Sequence, residues 1–435
     1  MKISFVIPSR SNSKYFKWAY DSIRKHQGHH EVYICAANDN SQDNTVFLFH
    51  DIAYKDDKFS YITNPGPDRL GHTILYDRIV KELVKTDIAI IWHADMYLCP
   101  GALDEIEKLM YTERGYMNLG GDGFNYNNHE YTPNYKTIVS LTRIEPPLHP
   151  DGPEKYLADW GTEPEDFNEA AFLQWFISPE ADGYKPKYDP PYTTGIFAPW
   201  AFFVKDFLEI GGHDPLYRPQ SKEDSDIFNR FKLNGCKFIQ TWRGCTYHMT
   251  CRGSRFNPSL TTPGTNSSEW EAHNIKSARN FIRKWGSFVS HTPLMDPIVP
   301  NKYYIKFILK NSTISIVKEL EPYCDSLQTD LDKNLLQKYI AEESLNTDFD
   351  LGYKLSGNVI PSVIVYIDCS ILTKEDYKCI TYLSSIIDES KLASGFSGDF
   401  RLGNLEIQIL NLTPMTSTLV HLDNTEYKLK LRPRL

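Results

Sequence analysis

A histidine and an aspartate follow one of the most apolar segments of the chain. Residues 88–92 are predicted to form a buried strand, and His93, Ala94 and Asp95 come directly after it. A carboxylate at the carboxyl end of a strand can hold a divalent cation through oxygen ligands that it shares with substrate phosphates. An imidazole suits manganese better than magnesium, so His93 could join it. This segment therefore predicts a metal site with Asp95 as its main ligand.

A second polar segment, NDNSQDNT at residues 38–45, also follows an apolar run and opens a predicted helix. Asparagine, aspartate and serine at this point could line a ligand crevice. They are also ordinary turn and helix-capping residues. Taken alone, the segment fits a plain turn better than a ligand-binding loop.

Three acids lie together at the start of a predicted helix, after the segment GGHD at residues 211–214. They are Glu223, Asp224 and Asp226. The helix macrodipole favours acids in a first turn, which alone could explain them. An acidic pair at a helix N-terminus is also a good place for a general base that must stay ionised, which makes Glu223 and Asp224 candidates.

Basic residues follow the last strand of the same region. His248 ends a strand-like segment, and Arg252 and Arg255 lie in the loop after it. Arginine forks match phosphate oxygens, so this loop could bind a phosphate group. A solvated basic loop is the alternative.

The first hundred residues alternate strand and helix, which predicts a mostly parallel sheet covered by helices. Predicted strands cover residues 3–7, 32–37, 59–63 and 88–92. Right-handed crossovers bring the carboxyl ends of such strands to one edge, where open α/β sheets bind ligands. The loops at this edge are residues 9–13, 38–44, 64–71 and 93–100.

Later segments are less regular. Proline, glycine and tryptophan accumulate over residues 116–192, which predicts a long insertion with one helix near 168–176. Strands are predicted at 195–204, 237–241 and 245–249, and helices at 222–233 and before Trp285.

Three prolines mark a linker at 290–302. The module 303–435 contains strands at 363–367 and 405–412 and a helix from Lys374 to about Ile387, started by a Thr373–Asp376 capping box.

Composition excludes several classes of protein. The 435 residues carry 47 Lys and Arg against 56 Asp and Glu, a formal charge of −9, which disfavours nucleic acid as the main partner. No apolar run reaches the roughly 18 residues of a membrane helix, and the amino terminus lacks a signal-peptide core, so a cytoplasmic protein is expected. The eight cysteines are dispersed without a Cys-x-x-Cys pair, which predicts free thiols and disfavours zinc.

The order of these segments resembles glycosyltransferase family 2 and its relatives with the GT-A fold, over about residues 1–285. The family's first strand ends in Pro followed by Ser or Thr, as at Pro8 and Ser9. Its Asp-Asp-x-Ser-x-Asp segment is matched from Asn38, which replaces the first acid. Its Asp-x-Asp metal motif is matched by residues 93–95, with histidine as the first member. Its Gly-Gly-Phe-Asp segment is matched by residues 211–214.

The resemblance implies roles for individual residues. Asp39 would hold the nucleotide base and Asp95 would bind the metal directly, while Asp224 in the family's Glu-Asp pair would be the catalytic base. A histidine after the last strands completes the metal site in related enzymes, and His248 matches it. The expected site comprises a catalytic pair, Asp224 and Glu223, metal ligands Asp95, His248 and His93, and donor-binding residues Pro8, Ser9, Arg10, Asp39, Arg69, Ala94, Arg252 and Arg255.

The implied fold is α/β of the GT-A type, a Rossmann-like mixed sheet flanked by helices over residues 1–289, with the insertion at about 116–192. A linker at 290–302 and a small C-terminal α/β accessory domain at 303–435 lie outside the resemblance.

The implied activity is a metal-dependent glycosyltransferase, with inversion favoured. It would move a sugar from a nucleoside-diphosphate sugar to a hydroxyl of a glycan or another acceptor, with Mn²⁺ or Mg²⁺ as cofactor. A UDP-sugar is the favoured donor and a GDP-sugar stays open. A sugar-nucleotide nucleotidyltransferase and a non-catalytic carbohydrate-binding protein are the alternatives. The sequence leaves the acceptor and the oligomeric state open.

Overall fold

The structure is a computed structural model that describes residues 1–115, 118–120, 123–125, 129–178, 182–250, 266–357 and 360–422. Contacts divide the chain into two compact units. The first consists of Met1–His213, Gly235–Trp270 and His291–Pro297, and the second of Asp214–Asn234, Glu271–Ser290 and Ile298–Leu435. Within the described residues, no helix is both long and apolar enough to cross a membrane.

The first unit alternates strands and helices in its amino-terminal half and is richer in strands afterwards. Its elements are β1 (Lys2–Ser9), α1 (Ser13–His26), β2 (Glu31–Asp39), α2 (Thr45–Lys55), β3 (Phe59–Asn64), α3 (His72–Glu82), β4 (Ile88–Ile91), β5 (Met96–Leu98), α4 (Ala102–Met110), β6 (Tyr111–Gly115), β7 (Asn118–Gly120), β8 (Gly123–Asn125), β9 (His129–Pro133), β10 (Thr137–Glu145), β11 (Tyr156–Leu157), α5 (Glu169–Ile177), β12 (Tyr192–Thr193), β13 (Trp200–Phe203), α6 (Val204–Glu209) and β14 (Lys237–His248).

Ten of these strands form one mixed sheet, in the order β12-β14-β10-β13-β4-β1-β2-β3, with β11 beside β10 and β5 beside β14. The other four form two separate two-stranded sheets, β6 with β9 and β7 with β8. Strands β4, β1, β2 and β3 are parallel, so their carboxyl ends share one edge. The central strands are apolar and buried on both faces, as parallel strands under helices must be. Helix α1 packs its period-3.6 positions Phe16, Ala19 and Ile23 into the core. The predicted mixed sheet flanked by helices is confirmed.

Strand β10 corrects the prediction that residues 116–192 are an insertion outside the recognised pattern. It lies inside the sheet, pairing with β13 on one side and with β14 on the other. All nine of its residues are buried although five of them are polar, so it lacks the continuous apolar run that marks a strand buried on both faces. The two strands predicted at 237–241 and 245–249 form the single strand β14, whose register with β10 shifts between Leu141 and Thr142.

The second unit contains α7 (Glu223–Leu233), most of α8 (Ser268–Trp285) and the carboxyl-terminal elements. These are β15 (Ile305–Lys310), α9 (Ile314–Leu320), β16 (Ser326–Gln328), α10 (Lys333–Glu343), α11 (Leu351–Lys354), β17 (Val363–Asp368), α12 (Lys374–Thr381), α13 (Leu383–Glu389), β18 (Gly398–Leu402) and β19 (Leu405–Ile409). The sheet order is β16-β15-β17-β19-β18. The Thr373–Asp376 capping box is present, but the predicted helix breaks at Tyr382 into α12 and α13.

A buried carboxylate holds α8 to the carboxyl-terminal part of the second unit. Glu321 is fully buried and accepts hydrogen bonds from Arg283 Nη2 at 2.6 Å and Tyr339 Oη at 2.9 Å, while Lys354 Nζ lies 2.7 Å away. Arg283 Nη2 also donates to Glu343 Oε1 at 2.5 Å. Burial alone would raise the pKa of Glu321, but Arg283 and Lys354 hold it well below its usual range.

The division into units differs from the single boundary predicted at residues 290–302. Helices α7 and α8 precede that boundary, yet α7 and most of α8 belong to the second unit. The reason is that Arg283 in α8 pairs with Glu321, which lies 38 residues further along the chain. Local composition, from which the linker was predicted, cannot reveal a pairing over that separation.

The seven cysteines in the described part of the chain are free, as predicted, and all but Cys379 are buried. Buried thiols of this kind behave as small apolar side chains. Cys251 lies outside the described residues.

We expect Glu321→Gln to lower the free energy of unfolding of the second unit by about 3–5 kcal/mol, because it leaves two buried cations short of a negative charge. Hydrogen exchange of peptides from α9 and α10, followed by mass spectrometry, measures this locally. Glu342→Gln is the control, since Glu342 is an exposed partner of Lys318 and should change stability by less than about 1 kcal/mol. Unchanged exchange in Glu321→Gln would contradict the expectation.

Candidate metal and donor site

The three predicted metal ligands lie together in the first unit. His93 and Asp95 lie between β4 and β5, and β5 pairs antiparallel with the end of β14, with Met96 opposite His248. This pairing places His248 Nε2 3.5 Å from Asp95 Oδ1. One ligand atom from each of His93, Asp95 and His248 lies within 4.8 Å of the other two. The cluster sits at the predicted edge of the sheet.

The two histidines have opposite electrostatic environments. Burial lowers the pKa of His93 to about 4, so its imidazole is neutral at pH 7. Burial also opposes a charge on His248, but Asp95 and Glu145 outweigh it and raise the pKa of that residue to about 9. A cation bound at His248 Nε2 would therefore replace a proton.

This donor set fits a first-row divalent cation. Two imidazole nitrogens and one carboxylate oxygen suit manganese and its neighbours, whereas magnesium prefers oxygen ligands and waters. Asp95 is the anionic member, and the side chains of Asp95 and His248 are only 11% and 9% exposed. The residues present therefore fit a Mn²⁺ site better than a Mg²⁺ site.

A second group of ligand atoms lies elsewhere in the first unit. His29, His30 and Asp104 also bring one atom each within 4.8 Å of one another. His30 Nε2 lies 2.9 Å from Asp104 Oδ1, a hydrogen bond that ties the start of β2 to α4. This group lies at the amino end of β2, on the edge opposite to the predicted crevice.

Asp39 occupies the predicted position at the carboxyl end of β2. It is buried, and its carboxylate accepts hydrogen bonds from Asn64 Nδ2 at 2.7 Å, from the Leu70 amide at 3.0 Å and from the Gly71 amide at 2.8 Å. These bonds order the loop between β3 and α3. A carboxylate has about four acceptor positions, so Asp39 keeps capacity for a further donor such as a nucleotide base.

Two arginines lie at the same edge. Burial and the positive charge of Arg10 lower the pKa of Arg69. Arg69 Nε is 4.0 Å from Asp39 Oδ2, and Arg69 Nη1 is 3.4 Å from Glu269 Oε1. Arg10 is exposed. Such a pair of arginines can contact the oxygens of a diphosphate.

The structure describes only some of the remaining predicted donor-binding residues. Pro8 and Ser9 end β1, between β4 and β2, and Ala94 lies between two of the metal ligands. Arg252 and Arg255 lie outside the described residues, so their predicted role stays a prediction.

The Gly-Gly-His-Asp segment contains a close approach between its backbone and Asp77 in α3. Gly212 has φ +76°, and a Cβ at this position would collide with the Asp77 carboxylate. Asp77 Oδ1 lies 2.9 Å from both the amide and the ring Nδ1 of His213. The glycine is therefore needed for this close approach. Asp214, in the second unit, pairs with Lys284 Nζ at 2.9 Å.

The predicted catalytic acids begin α7 in the second unit. Glu223 is buried and Asp224 is half-buried. Ser221 and Lys222, just before them, have φ of 78° and 68°, two successive left-handed residues that are costly for side chains with a Cβ. This strained turn lies immediately before the helix, which begins with Glu223 and Asp224.

Asp226, the third acid of this group, takes part in buried ion pairs. It is fully buried and pairs with Arg230 Nε at 2.8 Å and Lys284 Nζ at 2.6 Å. Trp285 Nε1 also donates to it, at 2.9 Å. Its carboxylate therefore neutralises buried cations, which leaves Asp224 and Glu223 as candidates.

The sequence analysis missed a group of three residues, of which one contacts the His248 ring and the other two pair with that residue. They are Glu145, Arg143 and Lys155, all buried. Glu145 lies within the insertion predicted at residues 116–192. The signal that could have found it is a glutamate at the end of a strand-like run, the same context that marked Asp95.

No family model matches the chain, and no curated protein matches it. Three similar solved structures are GalNAc-T7 with UDP, GalNAc and Mn²⁺ (14% identity, TM-score 0.43), S. aureus TarS 1–349 (12%, 0.34) and the mannosyltransferase PcManGT from Pyrobaculum calidifontis in complex with GDP-Man and Mn²⁺ (11%, 0.37). The matches cover 66%, 57% and 57% of this chain and 48%, 60% and 57% of those chains, respectively. The chain thus spans about half to three fifths of their length. All these TM-scores are below 0.5.

We expect Asp95→Ala to abolish Mn²⁺ binding and His93→Ala to weaken it, because Asp95 supplies the negative charge of the cluster and His93 is neutral. Water proton relaxation in the presence of Mn²⁺ measures the bound fraction. Asp104→Ala removes a carboxylate from the second group and should leave binding unchanged. Tight binding that survives in Asp95→Ala, or is lost in Asp104→Ala, would overturn the assignment.

Proposed function

We propose that the protein is a metal-dependent glycosyltransferase whose first unit has a GT-A-type fold. The observation that carries the proposal is the cluster of His93, Asp95 and His248 at the sheet edge that also carries Asp39. Strands β4, β1 and β2 are adjacent, so roughly 10 Å separates the ends of the outer two. A nucleoside diphosphate can span that edge, with its base at Asp39 and its phosphates at the metal.

In this proposal Asp39 accepts a hydrogen bond from the nucleotide base, with Pro8, Ser9 and Ala94 lining the donor crevice. Asp95 and His248, with His93, hold a divalent cation, Mn²⁺ in preference to Mg²⁺. When bound, the cation neutralises charge that develops on the leaving diphosphate. Arg10 and Arg69 stabilise the same charge through fixed donors. Arg252 and Arg255 would add to this from the following loop.

Transfer forms a bond between the acceptor oxygen and the anomeric carbon, and breaks the bond from that carbon to the diphosphate. Asp224 removes the proton of the acceptor hydroxyl, and Glu223 is the nearest alternative for this role. Attack opposite the leaving group inverts the anomeric configuration. A UDP-sugar is the favoured donor, a GDP-sugar is the second choice, and the acceptor is a glycan or another hydroxyl compound.

A thermal-shift panel tests the donor class. Because a ligand that binds only the native state raises its apparent stability, we expect UDP or GDP to raise the unfolding temperature in the presence of Mn²⁺ and much less in its absence. Slow Mn²⁺-dependent hydrolysis of the matching nucleotide sugar should accompany this shift. A requirement for pyrophosphate or a nucleoside triphosphate would instead indicate a nucleotidyltransferase, and stabilisation by free sugars without hydrolysis would indicate a binding protein.

We expect Asp224→Asn to reduce turnover by about a hundredfold or more and to leave donor binding nearly unchanged, because the amide keeps the shape but not the basicity. Hydrolysis or transfer rates and the UDP-dependent thermal shift measure the two effects separately. Glu223→Gln is the matched variant. Near-normal turnover in Asp224→Asn together with loss in Glu223→Gln would move the base to Glu223, and losses of only about 1 kcal/mol of stability in both would indicate helix caps.

A further inference from the structure

The two ring nitrogens of His248 face different carboxylates. Nε2 lies 3.5 Å from Asp95 Oδ1, on the side of the candidate metal cluster. Nδ1 lies 2.8 Å from Glu145 Oε1, on the other side of the ring. The donor atoms that gather within 4.8 Å in this part of the described chain belong to His93, Asp95 and His248, and Glu145 is not among them. Glu145 therefore contacts a ligand and is not itself one.

The position of Glu145 follows from the sheet. It is the last residue of β10, which runs parallel to β14 with Ile144 opposite Tyr247. The next pair along this register is Glu145 and His248. The parallel ladder fixes this alignment, because a slip of one residue would turn one of the two side chains to the other face of the sheet.

Two buried cations keep Glu145 in its ionised form. It is 2% exposed, and its Oε1 accepts a hydrogen bond from Arg143 Nη1 at 3.1 Å, while Lys155 Nζ lies 3.3 Å from Oε2. The guanidinium of Arg143 packs over the Phe197 ring at 3.5 Å, and its Nη2 lies 3.6 Å from Glu154. Two cations thus offset the cost of burying the carboxylate and prevent it from turning away from His248.

We propose that Glu145 is a positioning residue that keeps the proton of His248 on Nδ1 and directs the Nε2 lone pair toward a divalent cation. This inference rests on the proposed metal-dependent function and assigns a role to a residue outside the predicted site. A carboxylate on the distal nitrogen fixes the tautomer and the ring orientation and makes the imidazole a better ligand. Losing such a partner typically weakens metal binding by roughly 10- to 100-fold.

The first test is the affinity for Mn²⁺ alone, measured by water proton relaxation on the full chain. Glu145→Gln keeps the length of the side chain and an acceptor oxygen but removes the charge, and we expect its Kd to rise by roughly 10- to 100-fold. Glu154→Gln is the matched control, since it removes a carboxylate from the same Arg143 without touching His248. It should change the Kd by less than about threefold.

A double-mutant cycle separates positioning from general damage to the fold. In a His248→Ala background, Glu145→Gln should cause no further loss of Mn²⁺ affinity, because its effect passes through the imidazole. An equal loss in both backgrounds, or a folded Glu145→Gln protein with wild-type affinity, would overturn the proposal. If Glu145→Gln does not fold, Glu145→Asp keeps the charge, shortens the reach and carries the same expectations.

The wild-type protein distinguishes this inference from the proposed function. If the wild-type protein does not bind Mn²⁺, with or without UDP, both the proposed function and the positioning role of Glu145 are contradicted. Wild-type binding that is lost in Asp95→Ala but unchanged in Glu145→Gln would remove the positioning role and leave the metal site in place.

Discussion

The antiparallel pairing of β5 with the end of β14 decides where the candidate metal ligands lie. Asp95 comes just before β5 and His248 ends β14, so the ladder that aligns Met96 with His248 brings the two functional side chains within 3.5 Å of each other. Strand pairing allows only registers that keep apolar side chains in the core, and a slip of one residue would reverse the face that His248 presents. The proposed chemistry therefore depends on a feature of the sheet.

Both units bury a carboxylate between two cations. Glu145 lies between Arg143 and Lys155 in the first unit, and Glu321 is paired with Arg283 and Lys354 in the second. Apolar side chains of the same volume would stabilise a core at least as well, so burial of charge is weak evidence for stability as such. The effect of these charges is to orient other groups. One fixes the orientation of a histidine, and the other fixes a helix to a segment distant in the chain.

Several residues that resemble ligand-binding positions also build the loops around them. Asp39 accepts the amides of Leu70 and Gly71, and Asp77 lies close to Gly212 and accepts the amide of His213. Each of these carboxylates orders the backbone of a loop through these hydrogen bonds. A polar residue at a sheet edge can thus order the backbone and still offer an oxygen to a ligand, so the structural and functional interpretations of such motifs are compatible.

The sequence by itself determined the types of many elements and indicated the candidate metal ligands. Apolar runs predicted β1 to β4, the capping box predicted the start of α12, and a carboxylate after a buried strand pointed to Asp95. It did not determine that β10 belongs to the sheet, because the five polar residues of this strand interrupt the apolar run that marks a strand buried on both faces. It also could not show that Glu145 supports His248, or that α8 belongs with the carboxyl-terminal unit. Periodicity and capping are local properties of the chain, whereas the pairing of strands and buried charges depends on residues that only the tertiary structure brings together.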